Sequence, residues 1–310
     1  GKTIQALAVI AQRKADGANR FLIVCPASVL VNWQREIETR SDLGSIKIHG
    51  DEQKSGLANW IANGGVALTT FDTLKLFELS DPEIAALNVD TVVVDEAHYV
   101  KNIGVGRTKA IKRWIDNAPR VLFMTGTPLE NRLEEFINLS KQLDPQFSSN
   151  LNRAALSAGI EVFRHAAAPM YLRRNTQEVL KELPELIWKD EYCSWENSNY
   201  EMYLDAVQKG NFMGMRRAGM TPLRYGVNPN KLDRILEITE EAFENKKKVI
   251  IFSFFRDPLQ LVLDTLKDKA LGPINGDMPS KARQELIDQF TNDPEPKALV
   301  GQISSMGTGL

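Results

Sequence analysis

Short runs that are apolar at nearly every position recur along the first half of the chain, each followed by a stretch with apolar residues at helical spacing. Phe21 to Cys25, Val66 to Thr70, Thr91 to Val94 and Val121 to Met124 read as strands, with a shorter one at Ile46 to Ile48. Ile4, Leu7, Ala8 and Ala11, and then Val29, Leu30, Trp33 and Ile37, repeat with the period of a helix. Further helices are predicted near residues 57–61, 108–115 and 133–143. A strand wet on one side alternates apolar with polar residues, whereas a strand apolar throughout needs cover on both faces. Such strands in alternation with helices predict a doubly wound α/β domain built on a parallel sheet, over residues 1–144.

The pattern then changes. Over 145–245 helical segments dominate, with one strand expected near Leu186 to Tyr192 and a loop near Gly226 to Pro229. A helix from Lys231 to Asn245 is expected to bury Leu232, Ile235, Leu236, Ile238 and Phe243. From 246 to 310 the alternation resumes, with strands at Val249 to Phe252, Pro273 to Asn275 and Ala298 to Ile303 and helices at Pro258 to Leu266 and Lys281 to Phe290. The expectation is α/β throughout: one lobe, a helical insertion and linker, and a second, incomplete lobe. A chain of 310 residues is long enough for two cores. It opens on Gly1 rather than Met and stops at Leu310 without a tail, so both ends read as cuts through a longer protein.

Composition narrows the function classes. A net charge of -2 provides no overall basic field, so any nucleic acid must be held by a local stripe of Lys, Arg and backbone N–H groups. No apolar stretch approaches the length of a membrane span and no signal peptide opens the chain, which predicts a reducing, aqueous compartment. Cys25, inside an apolar run, reads as a buried thiol. Cys25, Cys193, His49, His98 and His165 show no metal-ligand spacing, which argues against a zinc site.

Three motifs carry chemistry. Gly1-Lys2-Thr3 fits the end of a phosphate loop, G-x-x-x-x-G-K-[ST], in which backbone N–H groups cradle phosphates, the Lys reaches the β- and γ-phosphates and the hydroxyl ligates Mg²⁺. Only three of its eight positions are present, and taken alone the triplet is better explained by coincidence. Asp95-Glu96-Ala97-His98 is stronger. It puts two carboxylates at the end of an apolar strand, the edge at which open α/β sheets bind ligands. There Asp95 would hold Mg²⁺ and Glu96 would orient or deprotonate the attacking water. The four residues arise by chance in on the order of one such chain in a thousand. A solvated turn with Asp95 as an N-cap would leave Glu96 and His98 unexplained. Thr125-Gly126-Thr127-Pro128 follows the next strand; alone it is better explained as an ordinary turn with a helix cap, but after a phosphate loop and Asp95 to His98 a turn near a γ-phosphate is much the better reading.

In this order the motifs resemble the superfamily two helicases, and specifically the SWI/SNF-type ATPases. Leu22 to Leu30 with Trp33 and Glu36, Thr69 to Leu74, Asp95 to His98 continuing to Lys101-Asn102, and Thr125 to Asn131 are similar to that family's successive motifs. So are Leu172-Arg173-Arg174 with Leu183-Pro184, Lys248 to Ser253, Asn275-Gly276 with Arg283 and Phe290, and Gly307 to Leu310. The resemblance implies two RecA-like P-loop lobes, ATP and Mg²⁺ as cofactors, and movement on double-stranded DNA rather than strand separation. It implies ATP binding by Gly1, Lys2 and Thr3, with Thr3 and Asp95 at the metal, and catalysis by Glu96 and Asp95. Coupling is implied for His98, Thr125, Gly126, Thr127, Gly307, Thr308 and Gly309. Ser28, Thr70, Thr73 and Ser253 become candidates for DNA phosphate contacts, though each also suits a cap or turn. The beginning of the phosphate loop and the family's last motif, with its arginines, are missing, so the chain by itself is expected to turn over poorly.

Bland readings stand for other conspicuous residues. Arg173 and Arg174 suit a solvated or salt-bridged pair as well as DNA, Lys246 to Lys248 suit a solvated helix end, and the five tryptophans suit packing. Two rivals remain: a strand-separating or restriction-type motor, opposed by Lys101-Asn102 and Leu129-Glu130-Asn131, and a non-catalytic scaffold, opposed by the intact Lys2, Asp95 and Glu96. The expected location is the cytoplasm at a bacterial nucleoid, or the nucleus of a eukaryote, with protein partners reached through regions outside this sequence.

Overall fold

The computed structural model describes residues 1–102, 104–126, 133–157, 159–173, 186–221 and 229–306. The chain divides into two compact units, Gly1–Pro184 and Glu185–Leu310.

In the first unit α1 (Lys2–Ala15) leads into β1 (Arg20–Cys25), α2 (Leu30–Arg40), β2 (Ser45–Ile48), α3 (Gln53–Asn63) and β3 (Gly65–Thr70). The short helices α4 (Phe71–Leu74) and α5 (Asp81–Ala86) precede β4 (Thr91–Val94), α6 (Gly106–Ile115) and β5 (Arg120–Phe123). Helices α7 (Leu133–Leu143), α8 (Pro145–Ser157) and α9 (Gly159–Ala167) follow. The five strands are parallel, in the order β2-β3-β1-β4-β5.

Successive residues of the central strands go to opposite cores, the outcome their apolar runs predict. Phe21, Ile23, Leu68 and Val93 pack with Leu7 and Ile10 of α1 and with Leu30, Trp33 and Ile37 of α2. Leu22, Val24, Ala67, Val92 and Val94 face the other way, onto Trp60 of α3 and Ile111 and Trp114 of α6. Each such fully buried aliphatic side chain contributes roughly 1.5–3 kcal/mol. The doubly covered sheet therefore fixes where β1, β3, β4 and β5 end, and the motifs sit at those ends.

The second unit contains α10 (Asn197–Gln208), α11 (Phe212–Ala218), α12 (Asn230–Glu244), β6 (Val249–Ser253) and α13 (Arg256–Leu266). Then come β7 (Ala270–Ile274), α14 (Ser280–Asn292), β8 (Ala298–Gln302) and the short α15 (Ile303–Met306). Its strands are parallel in the order β6-β8-β7. The same division recurs here: Ala298 and Val300 pack with Leu232, Leu259 and Val262, while Leu299 packs with Ile274 and Phe290.

Three expectations need correction, one of them the packing role read for all five tryptophans, since Trp188 is 87% exposed. No strand forms over 186–192, where Leu186, Ile187, Trp188 and Tyr192 are exposed; apolar and aromatic residues favour a strand only when a ladder and a packed face receive them. Ile238, placed on the buried side of α12, is 37% exposed. The predicted loop at 226–229 lies mostly outside the described residues. No described helix is long and apolar enough to cross a membrane.

Candidate active site

β4 delivers Asp95 to the end of the sheet with its backbone still engaged, since the Asp95 N–H donates to the Val24 carbonyl at 2.8 Å. Its side chain is nearly enclosed, with the residue 9% exposed. Each carboxylate oxygen accepts one bond: Oδ2 from the indole Nε1 of Trp33 at 2.9 Å and Oδ1 from the Glu96 N–H at 2.9 Å. A carboxylate has about four lone-pair positions, so both oxygens retain acceptor capacity for a hard cation. Its charge is felt nearby, where burial first and Asp95 second push the Cys25 thiol well above its ordinary range.

Glu96 turns the chain back by adopting the left-handed conformation, φ 48° and ψ 52°, which costs a side-chain-bearing residue roughly 1–2 kcal/mol. The turn is then tied to the next strand, as the Ala97 N–H donates to the Met124 carbonyl at 2.8 Å. A short 3-10 turn over Ala97–Val100 follows. His98 Nδ1 lies 3.1 Å from Glu96 Oε2, without the alignment of a hydrogen bond. Lys101 Nζ pairs with Glu135 of α7 at 2.7 Å, which anchors the far side of the turn.

Lys2 opens α1, Gly1 is its N-cap and Thr3 is half-buried. Lys2 comes close to the turn after β5: a Cβ placed on Gly126 would lie 3.6 Å from Lys2 Nζ. Thr125, half-buried, precedes that glycine. Lys2, Asp95, Glu96, His98, Thr125 and Gly126 thus occupy one end of one sheet. Thr127, Gly307, Thr308 and Gly309 lie outside the described residues.

The proposed phosphate-contacting hydroxyls are deeply engaged. Thr70 and Thr73 are buried, and Thr70 caps α4 by accepting from the Thr73 N–H at 3.2 Å. The Thr70 hydroxyl donates to Thr73 Oγ1 at 2.9 Å, and Thr73 Oγ1 lies 2.8 Å from His49 Nδ1. Burial, and then the charge of Lys47, hold the His49 pKa below its usual value. Ser28, half-buried, lies in the 3-10 turn after β1, and in the second unit Ser253 Oγ accepts from the Phe255 N–H at 3.1 Å. Sequence reasoning missed Trp33 as a partner of Asp95 and His49 as a partner of the threonines; neither pairing leaves a local signal, because its members are 62 and 24 residues apart.

Comparison with known proteins agrees with the motif order. An ATP-dependent helicase of Mycoplasma pneumoniae is 27% identical over all of this chain and 33% of its own length. A SWI/SNF-related matrix-associated actin-dependent regulator of chromatin, subfamily A-like protein 1 homolog, of Caenorhabditis elegans is 26% identical over all of this chain and 48% of its own. The chain therefore spans a third to a half of these relatives. A solved Sulfolobus solfataricus SWI2/SNF2 ATPase core in complex with dsDNA is 23% identical, with 97% of this chain and 71% of that one covered at a TM-score of 0.49. Residues 230–310 match the helicase conserved C-terminal domain. Because residues 1–247 match the SNF2-related domain, the chain belongs to that family.

Proposed function

We propose that this chain is the motor core of an ATP-dependent translocase or remodeller that moves on double-stranded DNA. The observation that carries the reading is the Asp95–Glu96 turn, in which one carboxylate is buried and oriented by two donors while its neighbour is held in a left-handed turn beside it. Lys2 would neutralise phosphate charge near Gly126, and Thr3 with Asp95 would hold Mg²⁺. Hard oxygen donors suit that ion, and Asp95 retains free lone pairs for it. When bound, the metal would supply charge neutralisation for the transferring phosphoryl group. Glu96 would accept a proton from, or orient, the attacking water, and His98, Thr125 and Gly126 would report the state of that site to the rest of the lobe.

Movement on duplex DNA without strand separation is the finer part of the proposal. It is supported by family membership and by the relative named as a regulator of chromatin. The protein would work where the DNA lies, at a bacterial nucleoid or in a nucleus, with partners recruited by other regions of the protein. The test is steady-state ATP hydrolysis by the full-length protein, without DNA and with single- or double-stranded DNA, beside an unwinding assay and a Glu96→Gln variant. Stimulation by duplex DNA that Glu96→Gln abolishes, with no unwinding, is the expected result. Turnover indifferent to DNA would end the translocase reading, and robust unwinding would replace it with a helicase.

A further inference from the structure

Side chains run without a gap from the Asp95–Glu96 turn to the turn that carries Thr70 and Thr73. Glu96 Oε2 faces His98 Nδ1 at 3.1 Å, and the His98 ring lies on Tyr99 with centroids 4.5 Å apart and planes inclined by 31°. The Tyr99 ring meets Phe71 at 5.7 Å, and the guanidinium of Arg107 sits 5.9 Å from its centroid. Arg107 in turn grips Asp72 with both arms of its fork, Nε to Oδ1 at 3.2 Å and the second nitrogen to Oδ2 at 2.8 Å. Lys75 adds a 2.6 Å ion pair to the same carboxylate. Phe71 and Asp72 are the two residues between Thr70 and Thr73. Tyr99 touches both sides of this path, through His98 on one and through Phe71 and Arg107 on the other.

The ring is placed to transmit rather than to fill space. Phe71 is buried in the core, whereas Tyr99 is 39% exposed, so removing it leaves the sheet's cover in place. The group at the head of the path, Glu96, is held in a left-handed backbone that few side-chain-bearing residues adopt, a conformation that clusters at active sites. A Glu96 carboxylate that swings toward a reacting water changes its 3.1 Å contact with His98, whose ring packs on Tyr99. That change bears on Phe71 and on the Arg107–Asp72 pair, and so on the turn between Thr70 and Thr73.

We propose that Tyr99 is a positioning residue that couples the Asp95–Glu96 turn to the Thr70–Thr73 turn, so that duplex DNA held at the second alters turnover at the first. The proposal rests on the motor reading above and adds to it that duplex DNA contacts this lobe at the Thr70–Thr73 turn. By linkage, the influence on binding runs in both directions.

The experiment compares Tyr99→Leu and Tyr99→Phe in the full-length protein, with ATP turnover measured with and without duplex DNA. Leu keeps apolar bulk but loses the aromatic faces, and Phe keeps both faces. Tyr99→Leu is expected to lower the DNA-stimulated rate by about fivefold or more, the lower bound of ordinary coupling. Its DNA-free rate and its KM for ATP stay at the wild-type level. Tyr99→Phe keeps the stimulation. Arg107→Met, which cuts the contact with Asp72, should behave like Tyr99→Leu, and the two changes together should lose no more than either alone. A stimulation factor unchanged in Tyr99→Leu, or a DNA-free rate that falls in the same proportion, overturns the coupling role while leaving the motor reading intact. A wild-type protein that ignores DNA overturns both.

Discussion

The indole Nε1–H of Trp33 donates a 2.9 Å hydrogen bond to Oδ2 of Asp95. It joins the middle of α2 to the end of β4 inside the core, where both residues are buried. Trp33→Phe keeps an aromatic ring against Ile37 and Val93 but strips the carboxylate of one donor. A hydrogen bond to a charged group contributes about 1.5–3 kcal/mol, and a buried acceptor left unpaired loses that much. The variant is expected to unfold at lower urea with an unchanged slope and to turn over ATP more slowly, because Asp95 is no longer held in one orientation. A Trp33→Phe protein with wild-type urea midpoint and turnover would show that the bond is incidental.

Glu96 joins a reactive group to an uncomfortable backbone, and two substitutions separate them. Both Glu96→Gly and Glu96→Ala remove the carboxylate, so turnover falls by about 10²–10⁴-fold in each if Glu96 handles the proton of the attacking water. Their stabilities should diverge. Glycine accepts φ near 48° at no steric cost, so Glu96→Gly is expected to be about 1 kcal/mol more stable than Glu96→Ala. Denaturant unfolding of the pair checks this. Equal stabilities would mean that the left-handed turn relaxes once the side chain is gone.

His49 makes the first unit sensitive to mild acid. Its unfolded value is 6.5, and in the folded protein burial and then Lys47 lower it. Between the two values the unfolded chain holds the extra proton and the native one does not, so stability rises with pH through that window and declines as pH falls below 6.5. His49→Asn puts an amide in place of the ring nitrogen that faces Thr73 and removes the titration. The measurement is urea unfolding from about pH 7.5 to about pH 5.5, spanning the ordinary range of histidine. Wild type should lose more stability over this range than His49→Asn, and parallel slopes would remove His49 as the cause.

Legibility in the sequence followed the locality of the physics. The apolar runs at 21–25, 66–70 and 91–94 announced buried parallel strands because each apolar residue in them meets one core or the other. Asp95 to His98 was legible because four consecutive residues carry its signal. Helix α5 had a readable start in Ser80-Asp81-Pro82-Glu83, where the Glu83 carboxylate accepts from the Ser80 N–H at 2.7 Å, yet its shortness hid it. The same reasoning placed a strand at 186–192 because local preference cannot reveal whether a ladder partner exists. The left-handed backbone of Glu96 and the contacts of Trp33, His49 and Tyr99 depend on residues far apart in sequence. They appear only once the sheet has brought its strand ends together.

Gly64 tests that sheet directly. It closes the turn from α3 into β3 with φ 75° and ψ -154°, a conformation open in practice only to glycine. A Cβ there would also strike Asn19, whose carbonyl oxygen it would approach to 2.8 Å while that oxygen accepts from the Gly65 N–H at 2.7 Å. Gly64→Ala therefore faces a strained backbone and a clash with the chain that enters β1. The backbone strain alone costs about 1–3 kcal/mol. Because β3 pairs directly with β1, the loss should reach the Asp95 end of the sheet as a lower melting temperature and faster amide exchange in Phe21 to Cys25. Gly64→Asn should be destabilised as well, because the clash with Asn19 remains and the backbone conformation is closed to Asn too. Full stability in either variant would show that the turn moves freely without disturbing β1.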